Sequence, residues 1–393
     1  MKKLLLSTII ILLLSSVLLI SCGEDVTTTT TDITTTTVTD ITTTESLTYN
    51  ISYELNGGTN SAENPSIYNK GDIITLSFPT REDYMFMGWY TDSALTNEIK
   101  EIKDKEENIT LYAKWAPLEE IFELILVNGE YRVSRFYNNA KTVIIPSTYK
   151  GLPVVRFNTS TFFECNRMEE LYISDSITSV FKRGAFQGCS SLQRIIVDEE
   201  NLDFKSVDGV LYSKDGKVLI SYPLAKIDKV FDVPQDVEII CEGAFVSNPY
   251  ITSINIPDGV KEVYAIGFCD ALESVTLPNS VTKFGGFHYC KALKSVTLSN
   301  NMEIIPYRAF INCVSLEGVT IPRSVKAIGS FAFYGCISID EIVIPDTVTE
   351  IKNRAFENRS TELTIYCEAE NKPEGWENGW NHYATVVWGY EEG

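Results

Sequence analysis

Apolar residues in the second half of the chain recur in a fixed order with a period of 21 to 23 residues. In a typical repeat, a Phe is followed three residues later by a Cys and after three more by a Leu. Two apolar residues that flank a single polar one come next, and residues 309–328 contain the complete unit. A period of this length is typical of one coil in a stacked repeat protein. A single coil cannot bury its apolar side, so the pattern predicts a solenoid.

The apolar–polar–apolar triplet predicts a short strand with one buried face in every coil. Pro or Ser usually follows the triplet and ends the strand. We therefore expect a mainly β solenoid of about ten coils, with the strands aligned on one face. The polar centres of the triplets form the exposed row of that face: Tyr172, Ile196, Asp232, Asn255, Thr276, Thr297, Thr320, Val343 and Thr364.

Six of the nine cysteines occupy the same slot of the repeat, and the next-best occupant of this slot is Asn248. Cys and Asn are both small and both can hydrogen-bond to backbone in a tight turn. The pattern favours a ladder of buried free thiols, although neighbouring coils would bring pairs of them near disulfide range. The six are Cys165, Cys189, Cys269, Cys290, Cys313 and Cys336.

One interval breaks the period, because Phe186 and Phe245 are 59 residues apart. This length fits two coils plus an insertion, which we place at residues 198–232. Within it, residues 207–222 predict a β-hairpin with a turn at Lys214-Asp215-Gly216. We expect the hairpin to project from the edge of the array or to cover one of its turns, and to be removable with little loss of stability.

The unit Ala-Phe-x-x-Cys-x-x-Leu-x-x-Val-x-Ile-Pro resembles the BspA-like family of leucine-rich repeats. The resemblance implies a leucine-rich repeat domain, which we place at residues 118–390. We expect an N-terminal cap at residues 118–146, which includes a hairpin with Asn128-Gly129 at its turn. Residues 366–390 predict a C-terminal cap, because an array must end in a unit that shields its last open face.

Residues 49–116 predict a separate small β domain, with alternating strands and an Asn-Gly-Gly turn at residue 56. Its later segments are Pro-Thr-Arg-Glu-Asp-Tyr, Phe-Met-Gly-Trp-Tyr and Ile-Thr-Leu-Tyr-Ala-Lys-Trp. Their order resembles the Listeria–Bacteroides repeat, the B-repeat of internalins. The resemblance implies a β-grasp-like module that commonly serves as a spacer in surface proteins. Within it, Gly88 predicts a bulge or a close packing contact.

The first 21 residues have a basic start and a long apolar run, which predict a secretory signal peptide. The run ends in Leu-Ile-Ser-Cys, which resembles the bacterial lipobox and implies acylation of Cys22. Residues 22–48 follow as a Thr-rich tether, because 14 of residues 26–48 are Thr and nothing there can build a core. These features predict a lipid-anchored protein on the outer face of a bacterial membrane.

Composition narrows the functions that this chain can perform. The formal net charge of −20 argues against nucleic-acid binding, which needs clustered Lys and Arg. Only two histidines exist, His288 and His382, and they lie far apart in the sequence. No Gly-rich phosphate loop, His-Glu-x-x-His or Gly-x-Ser-x-Gly motif is present. We therefore expect no catalytic site, no metal site and no cofactor.

The remaining function is binding, and the preferred hypothesis is a non-catalytic adhesion module. We expect the array, as a monomer, to bind a protein on a host cell, a neighbouring cell or the surrounding matrix. We expect the binding site at the N-terminal end of the strand face, where the side chains are bulkier and charged, together with the insertion. Its candidate ligand-binding residues are Glu170, Tyr172, Arg194, Tyr212 and Lys214.

Two alternatives compete with protein binding. Trp376, Trp380 and Trp388 could form an aromatic platform for carbohydrate or cell wall instead of packing inside the C-terminal cap. The protein could also be a purely structural surface protein without a specific partner.

Overall fold

The computed structural model describes residues 47–137, 139–158, 161–180, 186–358 and 363–391. The predicted signal peptide, Cys22 and all but the last two residues of the predicted tether lie outside these ranges. The described residues belong to one compact unit that begins at Leu47. They form 33 strands and one short helix, and the solenoid has about eleven turns. The prediction of a mainly β leucine-rich repeat solenoid preceded by a small β domain is confirmed.

The N-terminal module is a five-stranded mixed sheet in the order β2-β1-β7-β4-β5. Its central pair, β1 and β7, is parallel, and β3 pairs with β6 beside the sheet. A shift of register between Phe86 and Gly88 bends β4 at the predicted bulge. The strands are β1 (Thr48–Glu54), β2 (Ile67–Asn69), β3 (Ile74–Thr75), β4 (Tyr84–Tyr90), β5 (Glu98–Ile99), β6 (Glu101–Ile102) and β7 (Ile109–Pro117).

Helix α1 (Leu118–Ile121) connects the module to an antiparallel hairpin of β8 (Phe122–Val127) and β9 (Glu130–Phe136). Asn128 and Gly129 form the turn with φ of 54° and 86°, as their sequence predicts. Strand β9 pairs in parallel with the first long strand of the array, residues 152–157. The hairpin therefore covers the open end of the first coil.

The array itself contains 24 short strands. They are β10 (Thr142–Ile144), β11 (Thr148–Tyr149), β12 (Leu152–Phe157), β13 (Glu170–Ile173), β14 (Ser179–Val180), β15 (Arg194–Val197), β16 (Phe204–Val207), β17 (Val210–Ser213), β18 (Val218–Ser221), β19 (Val230–Asp232), β20 (Ile239–Ile240), β21 (Ser253–Asn255), β22 (Glu262–Val263), β23 (Ile266–Gly267), β24 (Ser274–Thr276), β25 (Lys283–Phe284), β26 (Phe287–His288), β27 (Ser295–Thr297), β28 (Ile304–Ile305), β29 (Ala327–Ile328), β30 (Glu341–Ile344), β31 (Glu350–Ile351), β32 (Thr364–Cys367) and β33 (Thr385–Trp388).

Two walls of parallel strands enclose the apolar interior. The strand face carries the ladders β10-β13-β15, β19-β21-β24-β27 and β30-β32-β33. The second wall carries β18-β20-β22-β25 and β28-β29-β31. Between the walls, Phe side chains of successive coils stack. The ring centroids of Phe310 and Phe333 are 5.2 Å apart, and those of Phe333 and Phe356 are 5.1 Å apart.

The Cys slot links most coils to the one before them, whereas the Cys165 thiol donates a hydrogen bond within its own coil. The Cys313 thiol donates a hydrogen bond to the carbonyl of Phe287 at 2.8 Å, and the Cys336 thiol donates to that of Phe310 at 3.0 Å. The eight cysteines among the described residues are free thiols. Burial raises the pKa of Cys336 to about 12, which keeps this thiol protonated and able to donate.

Asn248 occupies the Cys slot of its coil and links it to the preceding coil through its side-chain amide. Its Nδ2 donates to the carbonyls of Pro223, Leu224 and Lys226 in the preceding coil, at 3.0 to 3.3 Å. Its Oδ1 accepts the N–H groups of Tyr250 and Ile251, both at 2.9 Å. Thiol and amide therefore occupy one slot because both give a hydrogen bond to the neighbouring coil.

The insertion differs from its prediction. The structure shows a three-stranded meander, β16-β17-β18, whose last strand joins the second wall beside β20. Projection from the array edge is therefore wrong. The burial of Leu211, Tyr212 and Leu219 argues against the expectation that this segment can be removed with little loss of stability. Alternate residues face two separate apolar clusters, with Val210 and Tyr212 in one and Leu211 in the other. The meander is a partition inside the solenoid.

The tryptophans at the C-terminal end pack inward. Trp376 and Trp380 are 2% and 3% exposed, and the Trp376 indole N–H donates to the carbonyl of Val348 at 3.1 Å. Trp388 lies against both rings, at centroid distances of 5.7 and 6.4 Å. Because Trp376 and Trp380 have no accessible face, the structure does not support the alternative in which these rings form a carbohydrate platform.

We predict that Asn248→Ala lowers the free energy of unfolding by about 2–4 kcal/mol, because five backbone groups lose their partner inside the array. Asn248→Cys should lose roughly half as much, because a thiol serves this slot in other coils. Urea unfolding followed by circular dichroism measures both. Equal losses in the two variants would show that the hydrogen bonds of this slot do not hold the coils together.

Candidate protein-binding surface

The exposed row of the strand face changes character along the array. From β21 to β27 it presents Asn255, Thr276 and Thr297, all of which are exposed and small. At its N-terminal end it presents Tyr172 and Ile196, which are both partly buried. The strand face is flat where the coils are regular. Larger side chains and depressions occur around β13, β15 and β19.

Glu170 and Arg194 lie side by side at the start of β13 and β15 and form an ion pair. Glu170 is 8% exposed and accepts hydrogen bonds from Nε and Nη2 of Arg194. The Lys100 ammonium of the module lies 3.7 Å from the same carboxylate. The hydrogen bond to Glu170 raises the pKa of Arg194. Glu170 therefore positions Arg194, which is the exposed member of the pair.

The N-terminal module packs directly on this end of the strand face, which nothing in the sequence indicated. The ring of Phe78 meets that of Tyr172 edge-on at a centroid distance of 4.7 Å. The N–H of Lys150 donates to the Asp83 carboxylate at 2.7 Å. Burial raises the pKa of Tyr172. Tyr172 is thus part of the contact between module and array as well as part of the exposed row.

The other two candidate residues lie on the meander. Tyr212 is 3% exposed, and burial raises its pKa to about 12. Lys214 is exposed, and its ammonium donates to the carbonyl of Glu199 at 2.9 Å. The structure brings Glu170, Tyr172 and Arg194 together. Tyr212, although almost fully buried, lines a groove together with Arg194, and Lys214 is not part of that cluster.

The strand ladder is interrupted between β15 and β19. The tip of the meander takes the position of the missing neighbour: the N–H of Ile195 donates to the carbonyl of Gly209 at 2.9 Å. The N–H of Val197 donates to Ser206 Oγ at 3.1 Å. A groove of about 940 Å³ remains between this tip and β19, with Arg194, Ile196, Phe231 and Asp232 among its lining residues. We call it the ladder groove.

A second depression lies on the other side of Ile196, between the module and the array. This module cleft has a volume of about 530 Å³. Phe78, Tyr84, Phe86 and Trp115 line it from the module, whereas Tyr172, Ile196, Asp175 and Asp198 line it from the array. Ile196 therefore separates two cavities, each within or near the size range of ligand sites in proteins.

Within the residues that the structure describes, no three His, Cys, Asp or Glu side chains are placed to hold a metal ion. His288 is half-buried, and burial lowers its pKa. None of the helical residues in the described ranges forms a segment long and apolar enough to cross a bilayer.

The fold defines a leucine-rich repeat protein with an extended face of parallel strands. Residues 133–207, 225–316 and 264–371 match the BspA type leucine rich repeat region in six copies. These ranges span more than half of the sequence, and the chain therefore belongs to the BspA-type leucine-rich repeat family, whose members are surface-associated. Residues 49–114 match the Listeria-Bacteroides repeat domain.

Similarity to individual proteins is partial. Over 108 residues the chain is 34% identical to a Gly-rich membrane protein of Evansella cellulosilytica. The aligned region covers 26% of this chain and 12% of that protein. A leucine-rich repeat protein structure from Eubacterium ventriosum is 22% identical, with a TM-score of 0.44, and covers 64% of this chain and 86% of its own. A leucine rich cell surface protein from Faecalibacterium prausnitzii is 26% identical, with a TM-score of 0.39, and covers 63% of each chain.

We predict that Gly209→Ala destabilises the protein far more than Gly129→Ala. Both glycines have positive φ, 77° and 86°, so both variants lose about 1 kcal/mol to backbone strain. A Cβ on Gly209 would lie 2.5 Å from Cβ of Arg194, whereas a Cβ on Gly129 would meet nothing within 4 Å. Thermal unfolding should show a further loss of roughly 1–3 kcal/mol for Gly209→Ala. Equal losses of stability in the two variants would mean that the tip of the meander is not packed tightly against β15.

Proposed function

We propose that this protein is a bacterial surface lipoprotein, anchored through Cys22, that binds another protein through the N-terminal half of its strand face. The observation that carries the proposal is the placement of the ladder groove and the module cleft on either side of Ile196. A flat row of small polar side chains offers few anchoring contacts. Binding energy usually comes from a few buried anchors, which need concave surface with apolar walls.

The composition of this region supports a protein partner. Tyr172, Arg194 and Ile196 combine an aromatic ring, a held guanidinium and an aliphatic side chain within one patch. Tyr and Arg are enriched among the residues that dominate protein interfaces. Because Glu170 already holds Arg194 in place, little side-chain entropy is lost when a partner contacts it.

The anchor and the partner's location follow from the sequence features of the first 48 residues. A lipid on Cys22 would hold the described unit at the outer face of the membrane, beyond a Thr-rich tether. The partner would then be a protein of a host cell, a neighbouring cell or the matrix, bound by a monomer without catalysis or cofactor. The surface association of the family is consistent with this location.

The test compares two Ile→Arg variants of residues 23–393, which lack the acylated Cys22. Ile196→Arg places a charge between the two cavities. Ile304→Arg is the matched control, because Ile304 is exposed on β28 of the second wall. Immobilised protein is incubated with solubilised surface proteins, and the specifically retained species are quantified by mass spectrometry.

We expect wild type and Ile304→Arg to retain the same species, and Ile196→Arg to lose at least about tenfold, because a hot-spot disruption costs roughly 1.4 kcal/mol or more. Circular dichroism of both variants checks that the fold is retained. Retention that is unchanged by Ile196→Arg would reject this part of the strand face as the binding site.

A further inference from the structure

We propose that the module cleft binds a positively charged, extended segment of the partner protein. The inference rests on the proposed function, since it assigns a chemical class to part of the same surface. Neither the module nor the array forms this cleft alone: Phe78 and Trp115 come from one, and Tyr172 and Asp175 from the other.

The walls of the cleft are aromatic. Phe86 lies with its ring centroid 5.5 Å from those of Phe78 and Trp115, so the module contributes a continuous aromatic surface. Tyr172 extends this surface onto the array through its edge contact with Phe78. Such a surface accommodates the aliphatic stems of Lys and Arg and attracts their charged ends. Aromatic-lined grooves are also a common docking site for extended, proline-rich segments.

The charges around the cleft are almost all negative. Glu82, Asp83, Asp175 and Asp198 line it. Asp175 and Asp198 are exposed, and neither forms an ion pair with any residue that the structure describes. Carboxylates above a cleft with low-dielectric walls concentrate a negative potential inside it.

Arg81 does not neutralise these carboxylates in full, although it also lines the cleft. Its guanidinium stacks on the ring of Tyr84 at 3.7 Å and donates to the carbonyl of Asn56 at 3.0 Å. The net charge of the whole chain, −20, adds long-range attraction for a basic partner. An anionic ligand such as a phosphate polymer or an acidic glycan would be repelled at every stage.

The carboxylates stand on both walls of the cleft, which favours a segment over a single cation as the ligand. Asp175 and Asp198 follow the neighbouring strands β13 and β15, and both line the wall of the cleft that the array contributes. Glu82 and Asp83 stand on the opposite wall. A chain with two or more basic residues can satisfy both walls, whereas one small cation cannot.

The experiment measures binding of a fluorescent peptide that repeats Lys-Pro-Leu-Pro to residues 23–393 by fluorescence polarisation. A peptide that repeats Glu-Pro-Leu-Pro is the charge-reversed probe. The variant Asp175→Asn/Asp198→Asn removes two cleft charges without changing side-chain size. Its matched control is Asp258→Asn/Asp340→Asn, which removes two exposed carboxylates elsewhere on the array; Asp258 occupies in its coil the position that Asp175 occupies in an earlier one.

We expect the basic probe to bind and the acidic probe not to bind. Asp175→Asn/Asp198→Asn should weaken binding of the basic probe about tenfold, and the control variant should change it less than about twofold. Raising NaCl from about 50 to about 300 mM should also weaken binding. Equal binding of the two probes, or equal losses in the two double variants, would overturn the proposal.

A further comparison separates this inference from the proposed function. The basic probe is added to the capture experiment with wild-type protein, where it should displace species whose retention depends on Ile196. If retention depends on Ile196 but the basic probe neither binds nor displaces, the cleft assignment fails and protein binding by the strand face stands. If no retained species depends on Ile196 while the basic probe still binds at Asp175 and Asp198, the proposed function fails and the cleft assignment stands.

Discussion

A hydrogen bond from one coil to the backbone of the coil before it is the interaction on which this architecture depends. Each coil buries its apolar side only against its neighbours, so the turns between the walls carry backbone groups that water cannot reach. The thiols of Cys313 and Cys336 and the amide of Asn248 satisfy such groups. They also fix the offset between successive coils. That offset aligns the exposed residues of successive coils into rows. A binding surface on this array would therefore be formed by residues from several coils.

Much of the solenoid could be predicted from the sequence, because each position of the repeat has the same structural environment in many coils. Phe310, Leu316 and Ile321 are buried as their slots predict. The strands follow the apolar triplets except at Val319–Ile321, where the prediction of a strand is wrong and an isolated bridge joins Gly318 to Ser295 of the preceding coil instead. The meaning of the Cys slot was also accessible, since a slot shared by Cys and Asn indicates a small hydrogen-bonding group. The inward packing of Trp376 and Trp380 follows from the need to close the last coil.

Features that occur only once were not predictable in the same way. Residues 207–222 contain turn residues and an alternation of apolar and polar side chains. These two signals predict a pair of strands, but they do not tell whether the pair projects from the array or belongs to one of its walls. The burial of Tyr212 depends on that choice. The contact between Phe78 and Tyr172 joins residues 94 positions apart that belong to different repeat families, and neither repeat pattern contains information about the other.

The partition formed by the meander has a mechanical consequence. Its alternate side chains enter two apolar clusters, so the solenoid has two interiors that share one wall. In a regular solenoid, loss of the terminal coil exposes the next and fraying can advance along the whole array. Here a tear that starts at the C-terminal end meets a hydrogen-bonded sheet before it reaches β15. Unfolding that starts at the C-terminal end would therefore meet the partition first, and β13 and β15 would keep their own apolar cluster on its other side.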